Sequence, residues 1–183
     1  MKQMDKDFDK FMVHMPWGIK DESLIVLKGH LLVEDLMREY CFSKVNNGRY
    51  LEYSKMSFNQ IAYLVRALQE KDAPSWIWGA IKKLNWLRNA FAHNLSPENY
   101  EKKRNEFIAV VKSENSIDIL ENRTEMHEIL SAAIFVVFTA LSANLHFKPK
   151  GLLELAMLLE KGDESSNKQR NSDSGAIAPP PVR

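Results

Sequence analysis

The sequence predicts an all-α protein, a compact antiparallel helical bundle, and three features carry that expectation. Apolar residues recur at three- and four-residue spacings along most of the chain. Helix punctuation falls between these runs, with Pro16 and Pro97 as breakers and Ser57 and Ser96 as N-caps. The links are short, which sets successive helices side by side in opposite directions. The periodic part ends near Lys161, so residues 1–161 are expected to form one helical domain. A domain of that size buries about two-thirds of its unfolded surface and folds without disulfides or a structural metal.

The first helix is expected over Asp5–Met15, with Phe8, Phe11, Met12 and Met15 at helical spacings until Pro16 interrupts them. DESLIVLKGHLLVEDLMREYCFSKV supplies a second helix of about twenty residues. Leu24, Leu27, Leu31, Leu32 and Leu36 share one broad face of it, and Gly29 is either a point of close packing or a modest cost in helix propensity. VNNGRY reads as a connector. Ser57 then caps a short helix that turns Phe58, Ile61, Leu64, Val65 and Leu68 inward. In DAPSWIWGAIKKLNWLRNAFAHNL, residues Ile77, Ile81, Leu84, Phe91 and Leu95 follow the 3.6-residue period. Pro97 suits the first turn of the next helix, with Ser96 as its N-cap, so two helices meet at HNLSP and His93 lies at the corner. Phe107, Val110 and Val111 continue that helix. NSIDILENR reads as a connector, an apolar helix runs from about Thr124 to Asn144, and GLLELAMLLEK forms a last short one. Gly162–Arg183 is rich in Ser, Asn, Gly and Pro and lacks periodicity. Burial cannot offset its ordering entropy, so a disordered C-terminal tail is expected.

Composition narrows the function. Cys41 is the only cysteine, which excludes an internal disulfide and a thiolate cluster and fits a reducing, cytoplasmic setting. The residue itself reads as a small buried apolar group. The first residues alternate in charge and lack the apolar run of a secretory signal. Ile129–Phe147 contains no Asp, Glu, Lys or Arg and approaches spanning length. It also holds Ser131, Thr139, Ser142, Asn144 and His146, and no other helix would serve as its membrane partner, so a helix buried in protein is expected and membrane insertion is not. His14, His30, His93, His127 and His146 are scattered without the spacing of a metal site, and no Gly-rich phosphate loop occurs. Neither a metal nor a cofactor is therefore expected. His127 reads as a first-turn surface residue and His30 as a hydrogen-bonded residue near a packing face.

The formal net charge of +1 argues against broad wrapping of nucleic acid. Charge is nonetheless concentrated between positions 82 and 104, where Lys82, Lys83, Arg88, Lys102, Lys103 and Arg104 face only Glu98 and Glu101, a local net of +4. Such a patch suits a short strand or a nucleotide; it also suits plain solvation of helix faces.

The segment LNWLRNAFAHNLSP carries the sharpest signal. At 100° per residue Arg88 falls within about 40° of Ile77, Ile81, Leu84 and Ala92, so it interrupts an apolar stripe. An unpaired buried guanidinium is costly, and the position calls for an anion: an internal acid, a carboxylate of a second subunit, or a phosphate, which the rigid arginine fork grips through two oxygens. Asn85, Asn89 and His93 form an i, i+4, i+8 series beside that stripe. Asn89 is suited to orient the His93 ring or to contact a ribose or phosphate oxygen. His93 in a last helical turn also has a purely structural use, because C-terminal carbonyls favour a histidinium. Arg88 and His93 point about 140° apart on one helix. Either the long guanidinium reaches around, or two copies of the helix cross about a two-fold axis and mix their side chains.

RNAFAH (Arg88–His93) resembles the Arg-x(4–6)-His motif of the HEPN superfamily of compact helical bundles, in which the residue after the arginine is commonly polar, as Asn89 is. VLKGHLLVEDLM resembles the long helix that precedes the motif helix in several members, and the likeness spans about Asp21 to Asn144. A fainter similarity is to the mannitol-operon repressor group, helical proteins with such an arginine–histidine pair, although nothing here resembles a DNA-reading helix-turn-helix. The resemblance implies a homodimer built by juxtaposing motif helices. It also implies either a metal-independent endoribonuclease, often a toxin or antiviral effector with a cognate partner such as an antitoxin, or a module that has lost activity and binds or regulates. By position, Arg88, Asn89 and His93 match the family's arginine, polar neighbour and histidine.

On the ribonuclease reading, single-stranded RNA is cut by attack of a ribose 2′-hydroxyl on the adjacent phosphorus, with Arg88, Asn89 and His93 as the catalytic residues. Lys82, Lys83, Asn85, Trp86, Lys102, Lys103 and Arg104 would hold RNA or phosphate, Trp86 being the best placed to stack on a base. The competing expectation is a non-catalytic dimeric module that binds a nucleotide, RNA or a partner protein.

Overall fold

Two long helices, α2 (Glu22–Lys44) and α7 (Met126–His146), form the centre of the bundle. The computed structural model describes residues 2–94, 97–114 and 123–146, and among them are seven helices and no strand. The others are α1 (Lys2–His14), α3 (Arg49–Tyr53), α4 (Phe58–Leu68), α5 (Ser75–His93) and α6 (Tyr100–Glu114). Ile25, Val33 and Met37 of α2, Leu130, Ile134 and Leu141 of α7, and Ile77, Leu84 and Leu87 of α5 are fully buried together with Phe107 of α6 and Phe11 of α1. Helix α1 runs antiparallel to α7 and α5 to α6, but the expected antiparallel order does not hold throughout: the two central helices run parallel, with Gly29 against Ile134 and Ser43 and His146 together at their C-terminal ends. Phe11 of α1 meets Phe138 and Phe135 at ring separations of 4.7 and 5.3 Å, while Asp7, a turn earlier, meets Ser142, a turn later. Lys83 and Glu106 are 3.1 Å apart, and the Phe91 and Tyr100 rings 4.5 Å, closing α5 and α6 into a helical hairpin.

Local signals explain where several helices begin. The Asp21 carboxylate accepts from the Ser23 and Leu24 amides at the start of α2. Ser57 is the predicted N-cap of α4, and Gln60 completes a reciprocal capping box with it. Of the two readings of Gly29, close packing is the one that holds, since a Cβ there would lie 2.6 Å from Ile134 Cγ2 and 2.9 Å from its Cδ1. Helix α7 fits a protein-buried role. Although it is long and apolar enough to cross a membrane, 61% of its most apolar window is covered by the other helices. Its Ser131 and Thr139 hydroxyls donate to carbonyls one turn back, at 2.8 and 2.9 Å.

Other expectations are corrected. Leu27 and Leu31 point outward, 42% and 47% exposed, because α1, α4, α5 and α7 occupy the remaining sides of α2 and bury Ile25, Val26 and Val33 instead. Phe8 and Met12 share the apolar period of α1 with buried Phe11 and Met15 but are exposed, since α1 rests chiefly on α7 and α2. The connector after α2 contains the one-turn helix α3, of which only Leu51 packs, partly buried, against the core. Pro97 stands outside α6; Asn99 takes a left-handed φ of 59° and the helix starts at Tyr100. His127 is buried rather than on the surface. Leu95, Ser96, residues 115–122 of the predicted connector, the predicted helix GLLELAMLLEK and the tail 162–183 lie outside the described residues.

Candidate functional site

Helix α5 carries Arg88, Asn89 and His93 through its last turns. Arg88 is half-buried on the apolar stripe. Its Nε–H is buried without an acceptor, and a terminal nitrogen donates to Asn89 Oδ1 at 3.0 Å. Among the described residues Arg88 forms no ion pair. Asn89 is therefore turned toward Arg88 and not toward the His93 ring. His93 is the final helical residue, exposed, with no hydrogen bond or ion pair among the described residues. Asn94 follows in extended conformation, its amide donating to the Ala90 carbonyl. The arginine and its polar neighbour thus make one anion-ready group, with the imidazole one turn further along.

Asn85 is engaged in a part-buried network that runs from α2 to α4. Its Oδ1 lies 3.0 Å from His30 Nε2, and its Nδ2 donates to Asn59 Oδ1 at 3.3 Å. His30 is 2% exposed and stacks on Phe58 at 4.2 Å. Its Nδ1 is unpartnered, with Glu34 Oε2 3.8 Å away. Glu34 is itself held by Arg38 at 2.6 Å. Burial holds the His30 imidazole below its ordinary range; the Asn85 bond and Glu34 oppose that shift, and the Arg88 charge adds to it.

Half of the basic patch is matched inside the chain. Arg104, expected to hold phosphate, grips both oxygens of Glu22 at 2.9 Å, and Tyr100 donates to the same carboxylate at 2.8 Å. Burial and the neighbouring Glu22 push the Tyr100 hydroxyl far up. Lys83 and Lys103 share Glu106 at 3.1 and 3.3 Å and hold its carboxyl below the usual range. The Lys103 ammonium also stands 5.7 Å from the centre of the Trp86 ring, which is 39% exposed. Lys82 and Lys102 are exposed and form no ion pair among the described residues. Lys102 lines a groove between the start of α2 and the α5–α6 corner, with Lys20, Phe91, Pro97 and Tyr100. Of the residues expected at the site, Arg88 and Asn89 are brought into contact, Lys83, Lys103 and Trp86 gather on the α6 side, and Arg104 and Asn85 are engaged elsewhere.

Sequence reading missed a second polar cluster. Asp7, 3% exposed, accepts from Ser142 Oγ at 2.6 Å and from Gln3 Nε2 at 3.1 Å. His146 Nε2 lies 3.0 Å from the same oxygen that Ser142 reaches, in ion-pair rather than hydrogen-bond geometry. The available signal was the i, i+4, i+8 alignment of Asp7 with Phe11 and Met15, which puts the acid on the buried side of α1. The cluster fastens α1 to the end of α7. Ser142 donates to the acid and not to the histidine, so it is not an activated nucleophile. Among the described residues no three His, Cys, Asp or Glu side chains gather as metal ligands. No protein-family model, no curated protein and no solved structure matches the chain.

Proposed function

We infer that this chain is a metal-independent endoribonuclease of the HEPN type, acting on single-stranded RNA through Arg88, Asn89 and His93 with two copies forming the site. One observation supports this above the others: a half-buried arginine on an apolar stripe whose Nε–H has no acceptor and which pairs with no acid among the described residues. Such a group is poised for an anion supplied from outside the chain. Leu27 and Leu31, exposed on α2 beside the helix that carries Arg88, offer apolar surface for a second copy.

In this reading the 2′-oxygen of one nucleotide bonds to the adjacent phosphorus and the phosphorus–O5′ bond breaks. His93 takes the 2′-hydroxyl proton or protonates the leaving O5′, and the opposite copy's His93 fills the other role. Arg88 stabilises charge on the non-bridging oxygens and Asn89 fixes the guanidinium. The products carry a 2′,3′-cyclic phosphate and a 5′-hydroxyl.

The second reading, a non-catalytic dimeric module for RNA, a nucleotide or a protein partner, is favoured by the partly matched patch, where Glu22 and Glu106 already engage three of the expected phosphate-binding cations. Incubation of the purified protein with end-labelled single-stranded RNA in EDTA separates the two. The nuclease reading requires cutting that His93→Ala abolishes while fold and dimer persist. Undiminished cutting by that variant removes the mechanism, and binding without cutting selects the module.

A further inference from the structure

The surroundings of Arg88 hold one more titratable group. His30 projects from α2, and its Nε2–H donates to Asn85 Oδ1 at 3.0 Å. Asn85 precedes Arg88 by three residues, so the two are neighbours on one side of α5. The Asn85 amide is used at both ends, toward His30 and Asn59, which sets its orientation. Two charged groups face His30: Glu34 on its own helix, already committed to Arg38, and Arg88 on α5. From α4 come Phe58 on the ring face and Asn59 behind Asn85, neither of which carries charge. The other ring nitrogen, Nδ1, is buried without a partner, with Glu34 Oε2 in front of it at 3.8 Å.

We propose that His30 is a positioning residue for Arg88: it fixes Asn85 beneath the guanidinium, and an anion taken up by Arg88 draws a proton onto the His30 ring. The proposal rests on the reading of Arg88 as the anion-binding group. The physical basis is linkage between two like charges. A buried imidazolium next to an unmatched guanidinium is repelled by it. An anion on Arg88 cancels most of that field, and the new Nδ1–H then meets Glu34. Reciprocally, the proton on His30 strengthens the anion by the same factor.

The test follows the His30 ring by NMR against pH in the full-length protein with labelled histidine, as wild type, Arg88→Gln and Arg88→Lys. Without ligand, removing the charge in Arg88→Gln raises the His30 midpoint by about half a pH unit or more, and Arg88→Lys leaves it near the wild-type value. A saturating 2′-deoxy octanucleotide, which lacks the hydroxyl needed for self-cleavage, raises the midpoint in wild type and not in Arg88→Gln. In binding assays His30→Leu weakens the octanucleotide several-fold, while His30→Gln, which keeps a donor for Asn85, restores neutral-pH affinity without its pH dependence. A His30 midpoint that is the same in wild type and Arg88→Gln overturns the coupling, whatever the protein does with RNA. A midpoint that moves with Arg88→Gln in protein that takes up no oligonucleotide sustains the coupling and removes the anion-binding reading instead. Should Arg88→Gln not fold, the wild-type titration decides: a midpoint unmoved by saturating octanucleotide overturns the proposal.

Discussion

Replacing Arg104 by Ala separates a cation that holds the fold from one that is free to hold a ligand. The guanidinium is 12% exposed and makes two 2.9 Å bonds to Glu22, itself only 20% exposed, and Tyr100 adds a third bond to that carboxylate. Hydrogen bonds to charged groups contribute about 1.5–3 kcal/mol net, and stranding a fully buried partner costs about 3–5 kcal/mol. Water reaches part of Glu22, and Tyr100 continues to donate, so the expected loss is about 2–3 kcal/mol. For a domain of this size that lowers Tm by roughly 4–12 °C. Urea denaturation gives the free energy directly. Glu22→Gln relieves the stranded charge, so the double variant loses less than the sum of the singles by about 1 kcal/mol or more. Lys102→Ala is the control, with stability changed by less than about 0.5 kcal/mol. Its effect falls on oligonucleotide affinity, where the salt slope drops by about one. An Arg104→Ala protein as stable as wild type but deficient in oligonucleotide binding refutes this division of the patch.

Three further outcomes are expected. Gly29→Ala adds a methyl 2.6 Å from Ile134 Cγ2; overpacking of about 1–3 kcal/mol outweighs a helix-propensity gain of about 1 kcal/mol, and Ile134→Ala in the same chain recovers stability relative to additivity, whereas a Gly29→Ala protein more stable than wild type contradicts the packing. The buried His30 has its imidazole held below the ordinary range, so between the folded and unfolded midpoints the unfolded chain binds more protons and stability rises with pH. This contribution is complete above the unfolded imidazole pKa, is lost as pH falls from there toward the folded midpoint, and disappears in His30→Gln when unfolding is measured from pH 7.5 to 5.5. The Cys41 thiol is fully buried and pushed up to about 11, so a thiol reagent at pH 8 labels it at least about a hundredfold more slowly in the native protein than in denaturant, and equal rates rule out that burial.

Periodicity reveals which segments are helical because the signal is local, and Ser57 reveals a helix start for the same reason. It does not reveal which side of a long helix is covered. Leu27 and Leu31 match the helical period as well as Ile25 does, and only the placement of α1, α4, α5 and α7 decides between them. Ion pairing is further still from local reading. Arg104 looks like part of a basic run until Glu22, 82 residues earlier, closes on it, and Lys83 meets Glu106 only because α5 and α6 fold back on each other. Arg88 was readable because its anomaly is local, a guanidinium on the stripe of Ile77, Ile81 and Leu84, with no carboxylate elsewhere on α5 to answer it. His30 as its neighbour was not, since the Asn85 bond spans 55 residues.

Charge matching turns that anomaly into a question with a measurable answer. Arg38, Arg66 and Arg104 close onto Glu34, Asp72 and Glu22 at 2.6, 2.5 and 2.9 Å. Arg88 differs from these three, offering its charge to the amide oxygen of Asn89 while its Nε–H has no acceptor. A neutral amide leaves the charge uncompensated, so the position gains when an anion arrives, and the anion belongs either to a second copy or to a ligand. The two sources respond oppositely to Arg88→Gln. If a partner's carboxylate answers the guanidinium, the variant loses association, and sedimentation shows a dimer constant weakened by about tenfold or more, as for a stranded charge pair. If the answering group is phosphate, the dimer is kept and oligonucleotide affinity falls, with the salt slope reduced by about one. Unchanged dimerisation together with unchanged oligonucleotide binding would leave the half-buried Arg88 charge without a role, and with it the nuclease mechanism would lose the group that stabilises its phosphorane.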